Sequence, residues 1–282
     1  MWCEIDMIDW NQIWKDALLA SRLTDDNYYD QEERANSYDR SENIRTDGER
    51  RVTALDPDPF WSVLDIGAGP GTLAVPLARR VGRVTAVEPS RPMIRCLERH
   101  LAEDKLSNVK IINSRWEDVS LEEAGRHELV IASYSLNFED IGEALWKMNR
   151  LASQRVCLYW FAGITSWEEV RMDLFPQIYG REYSAYPKIN IIYNLLYGWG
   201  LYPDVEVLQQ TAFPRIFADY HEALSYLKST LNLSGRDHEM LLHNYIEDRW
   251  RREDGRLVME DGTIYVKLSW RPELSAQMSG ER

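Results

Sequence analysis

Cysteine is scarce in this 282-residue chain: Cys3, Cys96 and Cys157 are widely spaced and odd in number. That leaves no disulfide framework and no C-x-x-C metal site. Long apolar runs are also missing. None approaches the roughly 18 residues a membrane-spanning helix needs, and no leader-like segment opens the chain, so a cytoplasmic protein with no membrane partner is expected. Positive charge is in deficit, with 33 Lys and Arg against 46 Asp and Glu, a formal net charge of −13. Nucleic-acid binding draws much of its affinity from cations that neutralise phosphates, so this balance argues against a DNA or RNA substrate. The densest basic stretches, "RR" at 79–80 and "RWRR" at 249–252, read as solvated helix faces. Cys96 and His100 fall four apart on an expected helix, but two ligands without a third are no metal site, and none is expected.

What is present is an ordinary globular composition, 44% hydrophobic and 28% charged, enough to bury a real core. Residues 1–54 are polar and aromatic, with Trp2, Trp10 and Trp14 in an expected helix. From 61 the pattern changes. "WSVLDIGAG" reads as a buried strand and "PGTLAVPLARRV" as a helix bent by Pro76, or one whose first turn contains it. "RVTAVEPS" is a second apolar strand, followed by a helix capped at Ser90 with Pro92 in its first turn and Ile94, Leu97 and Leu101 facing inward. Strands at 109–113, 128–135 and 155–160 alternate with helices near 120–125 and over 140–152. Short apolar strands joined by helical crossovers mean a parallel sheet covered on both faces, with its ligand beyond the carboxyl ends of the strands.

After 162 the rhythm breaks into an aromatic stretch, 163–202, with Trp167, Phe175, Tyr179, Tyr183, Tyr186, Tyr193, Tyr197, Trp199 and Tyr202. A strand is expected at 204–213, a helix begun by Asp219 and Glu222 carries Leu224, Leu227 and Leu231, and another helix spans 238–250. "RLVME", Asp261-Gly262 and "TIYVKLSW" read as a β-hairpin forming an antiparallel edge of the sheet. The expected divisions are an N-terminal helical segment (1–54), a ligand-binding core (55–162), an aromatic helical cap (163–202), C-terminal strands and helices (203–272) and a tail (273–282).

The chemistry concentrates in "VLDIGAGPGT", residues 63–72. Its glycines, Gly67, Gly69 and Gly71, spell G-x-G-x-G. The dinucleotide fingerprint G-x-G-x-x-G would need a glycine where Thr72 stands, which counts against an NAD-type oxidoreductase. A glycine turn between strand and helix still lets a ligand approach the backbone closely. Glu88 ends the next strand, 21 residues after Gly67, where a carboxylate accepts both hydroxyls of a ribose. Asp65 is a poor neighbour for a phosphate and a good one for an ammonium group. It either caps the following helix or binds ligand, or does both.

Over residues 60–162 the chain resembles the class I S-adenosylmethionine-dependent methyltransferases, through "VLDIGAGPGTLAVPLA", "VTAVEPSRPMI", "NSRWEDV" and "HELVIASYSLNFEDIGEAL". The resemblance implies an α/β fold: a doubly wound, mostly parallel seven-stranded sheet with helices on both faces, one antiparallel strand near the C-terminus and a helical cap insertion. It implies S-adenosylmethionine as cofactor, with S-adenosylhomocysteine as product. The loop of Gly67, Ala68, Gly69 and Gly71 would pack on the methionine portion, with Asp65 near its amino group. Glu88 would take the ribose, Pro89 and Met93 would border the adenine, and Trp116 and Glu117 would pass its other edge. Arg115 departs from the pattern, which has an aspartate there. Ser133 and Tyr134 match the loop nearest the sulfonium, and Ala35 with Tyr38-Asp39 resembles an A-x-x-Y-D whose tyrosine closes over the cofactor.

Methyl transfer needs a held nucleophile and exclusion of water more than a fixed base, so no single catalytic residue is implied. Tyr134 and Asn137 are the candidates for orienting an acceptor. That acceptor is expected to be a small molecule under the aromatic cap, with a protein side chain as the alternative. A cofactor-binding regulatory protein without turnover is the competing reading.

Overall fold

A computed structural model describes residues 8–22, 30–40, 42–208 and 214–272. Three helices open it: α1 (Trp10–Ser21), α2 (Glu32–Asp39) and α3 (Glu42–Leu55). The alternating core follows as β1 (Ser62–Ile66), α4 (Ala74–Ala78), β2 (Arg83–Val87), α5 (Arg91–Glu103), β3 (Val109–Ile112), a 3-10 turn at Trp116–Asp118, α6 (Leu121–Ala124), β4 (His127–Ser133), α7 (Ile141–Leu151) and β5 (Ala152–Phe161). Beyond it lie α8 (Ser166–Tyr179), α9 (Ile189–Gly198), β6 (Asp204–Val207), β7 (Arg215–Phe217), α10 (Tyr220–Thr230), α11 (Glu239–Arg249), β8 (Arg251–Glu253), β9 (Arg256–Met259) and β10 (Tyr265–Trp270).

The main sheet has seven strands in the order β3-β2-β1-β4-β5-β10-β6. Strands β1 to β5 pair in parallel, and β10 runs antiparallel to both β5 and β6. The order reverses between β1 and β4, which places the switch point at the carboxyl ends of those two strands. Their side chains explain the burial: Val63, Leu64, Ile66, Leu129, Val130, Ile131 and Ala132 are at most 1% exposed, as a sheet covered on both faces requires. One core, with Leu73, Leu77 and Leu97, lies under α4 and α5. The other, with Trp14, Leu145 and Ile192, lies on the opposite face. Pro76 sits in the first turn of α4, where its missing N–H costs nothing. Ser90 caps α5 by accepting from the Met93 amide.

Three expectations need correction. The Asp261-Gly262 hairpin does not form, because β9 belongs to a second, three-stranded sheet, β7-β9-β8, while β10 lies inside the main sheet. The hairpin is instead β8–β9, turned by Asp254 and Gly255 at φ 49° and 77°. Positive φ at both central residues is what a tight type I′ turn requires, and Asp-Gly supplies it there. Asp261 accepts the Thr263 amide in a local turn instead. Secondly, the strand expected at 204–213 is β6 over its first four residues, and residues 209–213 lie outside those described. The sheet's edge on this side is β6, not the antiparallel β10. Thirdly, "RWRR" is not one helix face: Arg249 ends α11, whereas Arg251 and Arg252 belong to β8 and pair with Glu253, Glu260 and Glu247. Trp2 and the tail at 273–282 fall outside the described residues.

The second sheet has a core of its own. Val170 and Leu174 of α8 pack there with Phe217, Leu227, Leu242, Ile246, Trp250 and Leu257. Helix α9 packs elsewhere, its Ile189, Ile191, Ile192 and Leu196 joining the core of the main sheet beside α1. Glu168, fully buried, ties the two together. It completes a capping box with Thr165, accepts the Tyr186 amide at 2.8 Å and pairs with Lys188 at 2.5 Å.

Candidate functional site

Strand β1 delivers Asp65 to the sheet's carboxyl end, and the chain then turns through Gly67, Gly69 and Gly71 at φ 70°, 56° and 90°. These left-handed angles are open to glycine at little cost. The two flanking glycines are also packed. A Cβ on Gly67 would lie 2.3 Å from the Ser135 Cβ, and one on Gly71 would lie 2.6 Å from Leu97 Cδ1. A Cβ on Gly69 would meet nothing within 4 Å. The turn's middle residue therefore faces open space, as a ligand cradle should. The Gly67 and Ala68 amides donate to the Val87 carbonyl, fastening the loop across to β2.

Glu88, just beyond β2, is 6% exposed. It accepts the Gly69 amide at 2.9 Å and the Ser90 amide at 2.8 Å, one on each carboxylate oxygen. Burial pushes its carboxyl upward against those two bonds. Each oxygen keeps a lone pair for a further donor.

Asp65 is 2% exposed, accepts the Ala74 amide at the start of α4, and has no hydrogen-bond partner for Oδ2 among the described residues. Burial is the main reason its carboxyl is pushed up to about 7. The Arg51 guanidinium opposes the shift and the Glu88 charge adds to it. A buried carboxylate oxygen without a donor is costly, and a bound cation removes that cost.

Arg51, which sequence reasoning passed over, belongs to this site. Helix α3 approaches the loop so closely that a Cβ on Gly48 would lie 2.3 Å from the Thr72 carbonyl oxygen. One turn on, the 7%-exposed Arg51 pairs with Asp47 at 2.8 Å and donates to the Ser133 hydroxyl. Its guanidinium lies 4.9 Å from the Tyr134 ring centroid and 5.2 Å from that of Tyr159. A four-residue Asp47–Arg51 spacing on a helix was the available signal, but nothing in it pointed to the glycine loop. Tyr38 of α2 arrives from the same side. It hydrogen-bonds Thr72 and feels the charges of Arg51, Asp47 and Glu88, while burial pushes its phenol upward.

Tyr134, directly after β4, has φ 54°, a left-handed value unusual for a tyrosine and worth about 1 kcal/mol of strain. Its amide donates to the Tyr159 carbonyl, and its ring stacks on Phe161 at 5.2 Å and meets Tyr265 edge-on at 5.5 Å. Its hydroxyl is buried without a partner among the described residues, and burial pushes its pKa upward. Of the aromatic stretch at 163–202, Trp167 reaches this cluster, edge-on to Phe161 at 5.2 Å. Phe175, Tyr179 and Tyr183 pack on one another, as do Tyr193, Tyr197 and Tyr202 in pairs.

The remaining candidates are more dispersed. Met93 is buried, and Pro89 is exposed with its carbonyl held by Asn113. Trp116 is 2% exposed in the core, donating to the Ala144 carbonyl beneath the Lys147 ammonium. The half-buried Glu117 pairs with Arg115 at 3.0 Å. Asn137 is exposed and apart from the contacts that bind the loop together. Cys96 and His100 do not converge: Cys96 contacts Asn36, and His100 turns to the glycine loop.

Comparison with known proteins fits this geometry. Residues 63–154 match the methyltransferase domain family. A protein of Haemophilus influenzae is 30% identical over 158 residues, covering 56% of this chain and 57% of the relative. RlmD of Methylococcus capsulatus, a 23S rRNA uracil-C5 methyltransferase, is 42% identical over 59 residues, 21% of this chain and 13% of that enzyme. The chain thus spans little more than half of the first relative and a small part of the second. Among solved structures, the YcgJ protein of Bacillus subtilis superposes with a TM-score of 0.55 at 15% identity, over 81% of this chain and 99% of that one. Residues 63–154 thus match a methyltransferase domain, and they supply nearly all of β1, with β2 to β4 and the start of β5, to the seven-stranded sheet.

Proposed function

We propose that this chain is an S-adenosylmethionine-dependent methyltransferase acting on a small molecule. The observation that carries the reading is Asp65 Oδ2: a buried carboxylate oxygen with no donor among the described residues, beside a glycine turn open at its centre. A cofactor with an ammonium group at one end and ribose hydroxyls at the other supplies what Asp65 and Glu88 lack. S-adenosylmethionine, when bound, provides a methyl group activated by its sulfonium.

The chain's own residues would do the rest. Asp65 would hold the ammonium and Glu88 the ribose, while Gly69 leaves room for the ligand to approach the backbone. Gly67 and Gly71, packed on Ser135 and Leu97, keep the turn from relaxing. Tyr134, Phe161 and Trp167 offer a largely apolar wall at the ends of β4 and β5, where exclusion of water favours displacement. The faces of Tyr134 and Tyr159 are already taken by Arg51, so this wall suits a planar or apolar acceptor better than a cationic one. The Tyr134 hydroxyl, without a partner among the described residues, would orient such an acceptor by hydrogen bonding.

RlmD acts on RNA, but the likeness to it is confined to 59 residues and the present chain carries a net charge of −13. The test is to incubate wild type and Glu88→Ala with methyl-labelled S-adenosylmethionine and a cell extract, then separate metabolites, protein and RNA. Label in the metabolite fraction, lost in the variant, is expected. Label in RNA or protein overturns the small-molecule reading, and ligand binding without label in any fraction favours a regulatory protein.

A further inference from the structure

His100 lies at the join between the glycine loop and the N-terminal helices. Its Nδ1 is 3.0 Å from the Pro70 carbonyl oxygen, in the middle of the loop, and its Nε2 is 3.2 Å from Asp39 Oδ1 at the end of α2. Nδ1 hydrogen-bonds the Pro70 carbonyl, whereas Nε2 approaches the Asp39 carboxylate at ion-pair distance without hydrogen-bond geometry. A neutral imidazole protonated on Nδ1 keeps the Pro70 bond and brings no charge to Asp39; the imidazolium keeps that bond and adds a positive charge 3.2 Å from Oδ1. The contact is sheltered, with the His100 side chain 14% exposed and that of Asp39 7%. Asp39 Oδ1 has no hydrogen-bond partner of its own among the described residues, since Arg99 engages the other oxygen.

We propose that His100 is a positioning residue: doubly protonated, it latches α2, and Tyr38 with it, onto the glycine loop, and loss of one proton releases the latch. Tyr38 immediately precedes Asp39 and bonds Thr72, so the orientation of α2 sets where that phenol stands over the loop. The charged groups around the ring are consistent with this role. Asp39 faces it from α2. Arg95 and Arg99 on its own helix pair with Glu32 and Asp39, and Arg79 at the end of α4 pairs with Asp104 and Glu49. The arginines keep their charge at all working pH values, so within the latch the imidazole is the group that can gain or lose a proton. Loss of the Nε2 proton removes the charge that faces Asp39 and leaves the Pro70 contact.

The proposal rests on the cofactor reading only for its consequence, so the test begins without ligand. Hydrogen exchange over residues 32–40 is measured at pH 6.0 and 8.5, corrected for the intrinsic rate, in wild type, His100→Gln and Asp39→Asn. Wild type should lose about fivefold protection at the higher pH, the scale of one sheltered ion pair. Both variants should show low protection that does not change with pH. An equal pH response in the variants, or none in wild type, overturns the latch. Calorimetric titration of the same proteins with S-adenosylhomocysteine separates the two readings. Binding with no pH-dependent protection overturns the latch alone, whereas pH-dependent protection without binding at either pH overturns the cofactor reading alone.

Discussion

Asp65 pays for its position. Held at about 7 by burial, its carboxyl takes up a proton on folding that the unfolded chain, with an ordinary carboxyl, releases at lower pH. The sign follows from linkage: the ligand-free protein loses stability as pH rises from the usual carboxyl range through about 7, because the folded state must then ionise a buried group. An ammonium-bearing ligand prefers the ionised form, so its affinity should rise over the same interval. Asp65→Asn separates the two effects. At pH 8 the variant should melt above wild type, by about 2–4 °C for each kcal/mol recovered. Its affinity for S-adenosylmethionine should fall about tenfold or more, the worth of a charge-assisted hydrogen bond. Thermal melting and calorimetry on the two proteins check both halves. The positions of Asp65 and Glu88 were legible because each falls at the carboxyl end of an apolar strand. Arg51 was not, because its partners, Ser133 and Tyr134, lie some eighty residues away and meet it only through the packing of α3.

The glycine turn behaves as an element with a packed frame and an open middle. Gly67→Ala should lower stability by about 2–3 kcal/mol, since the new methyl strikes Ser135 as well as straining the backbone. Gly69→Ala strains the backbone but meets no atom, so it should cost only about 1 kcal/mol in stability while filling the space left for ligand. Urea unfolding with calorimetry should therefore rank Gly67→Ala as the worse folder of the two, with Gly69→Ala nearly as stable as wild type yet clearly weakened in binding. The core elements were readable to within a few residues because each has an apolar period and a cap, as at Ser90 and Asp140. The second sheet was not. Two Asp-Gly pairs lie seven residues apart, at 254–255 and 261–262, and local chemistry favours a hairpin at either. Leu257 and Met259 decide it by entering the core of α10 and α11.

At the scale of the molecule, the chain builds a seven-stranded sheet and adds a second core between β6 and β10. The aromatic stretch at 163–202 is divided between the two. Helix α8 serves the second core and α9 the first, with the buried Glu168–Lys188 pair joining their starts. Composition marked the stretch as aromatic but not this division, because an aromatic side chain carries no mark of which core it enters. Among the described residues no helix is long and apolar enough to cross a membrane. The candidate site sits where β1 and β4 part, with α2 and α3 reaching the loop at Thr72.

The central claim is that Asp65, the glycine turn and Glu88 hold S-adenosylmethionine. Calorimetric titration of wild type and Glu88→Ala at pH 8 with S-adenosylmethionine, S-adenosylhomocysteine and NADH tests it most directly. The account predicts that wild type binds the first two and not NADH, and that the variant binds both about tenfold or more weakly. Binding of NADH, or of none of the three, would contradict it.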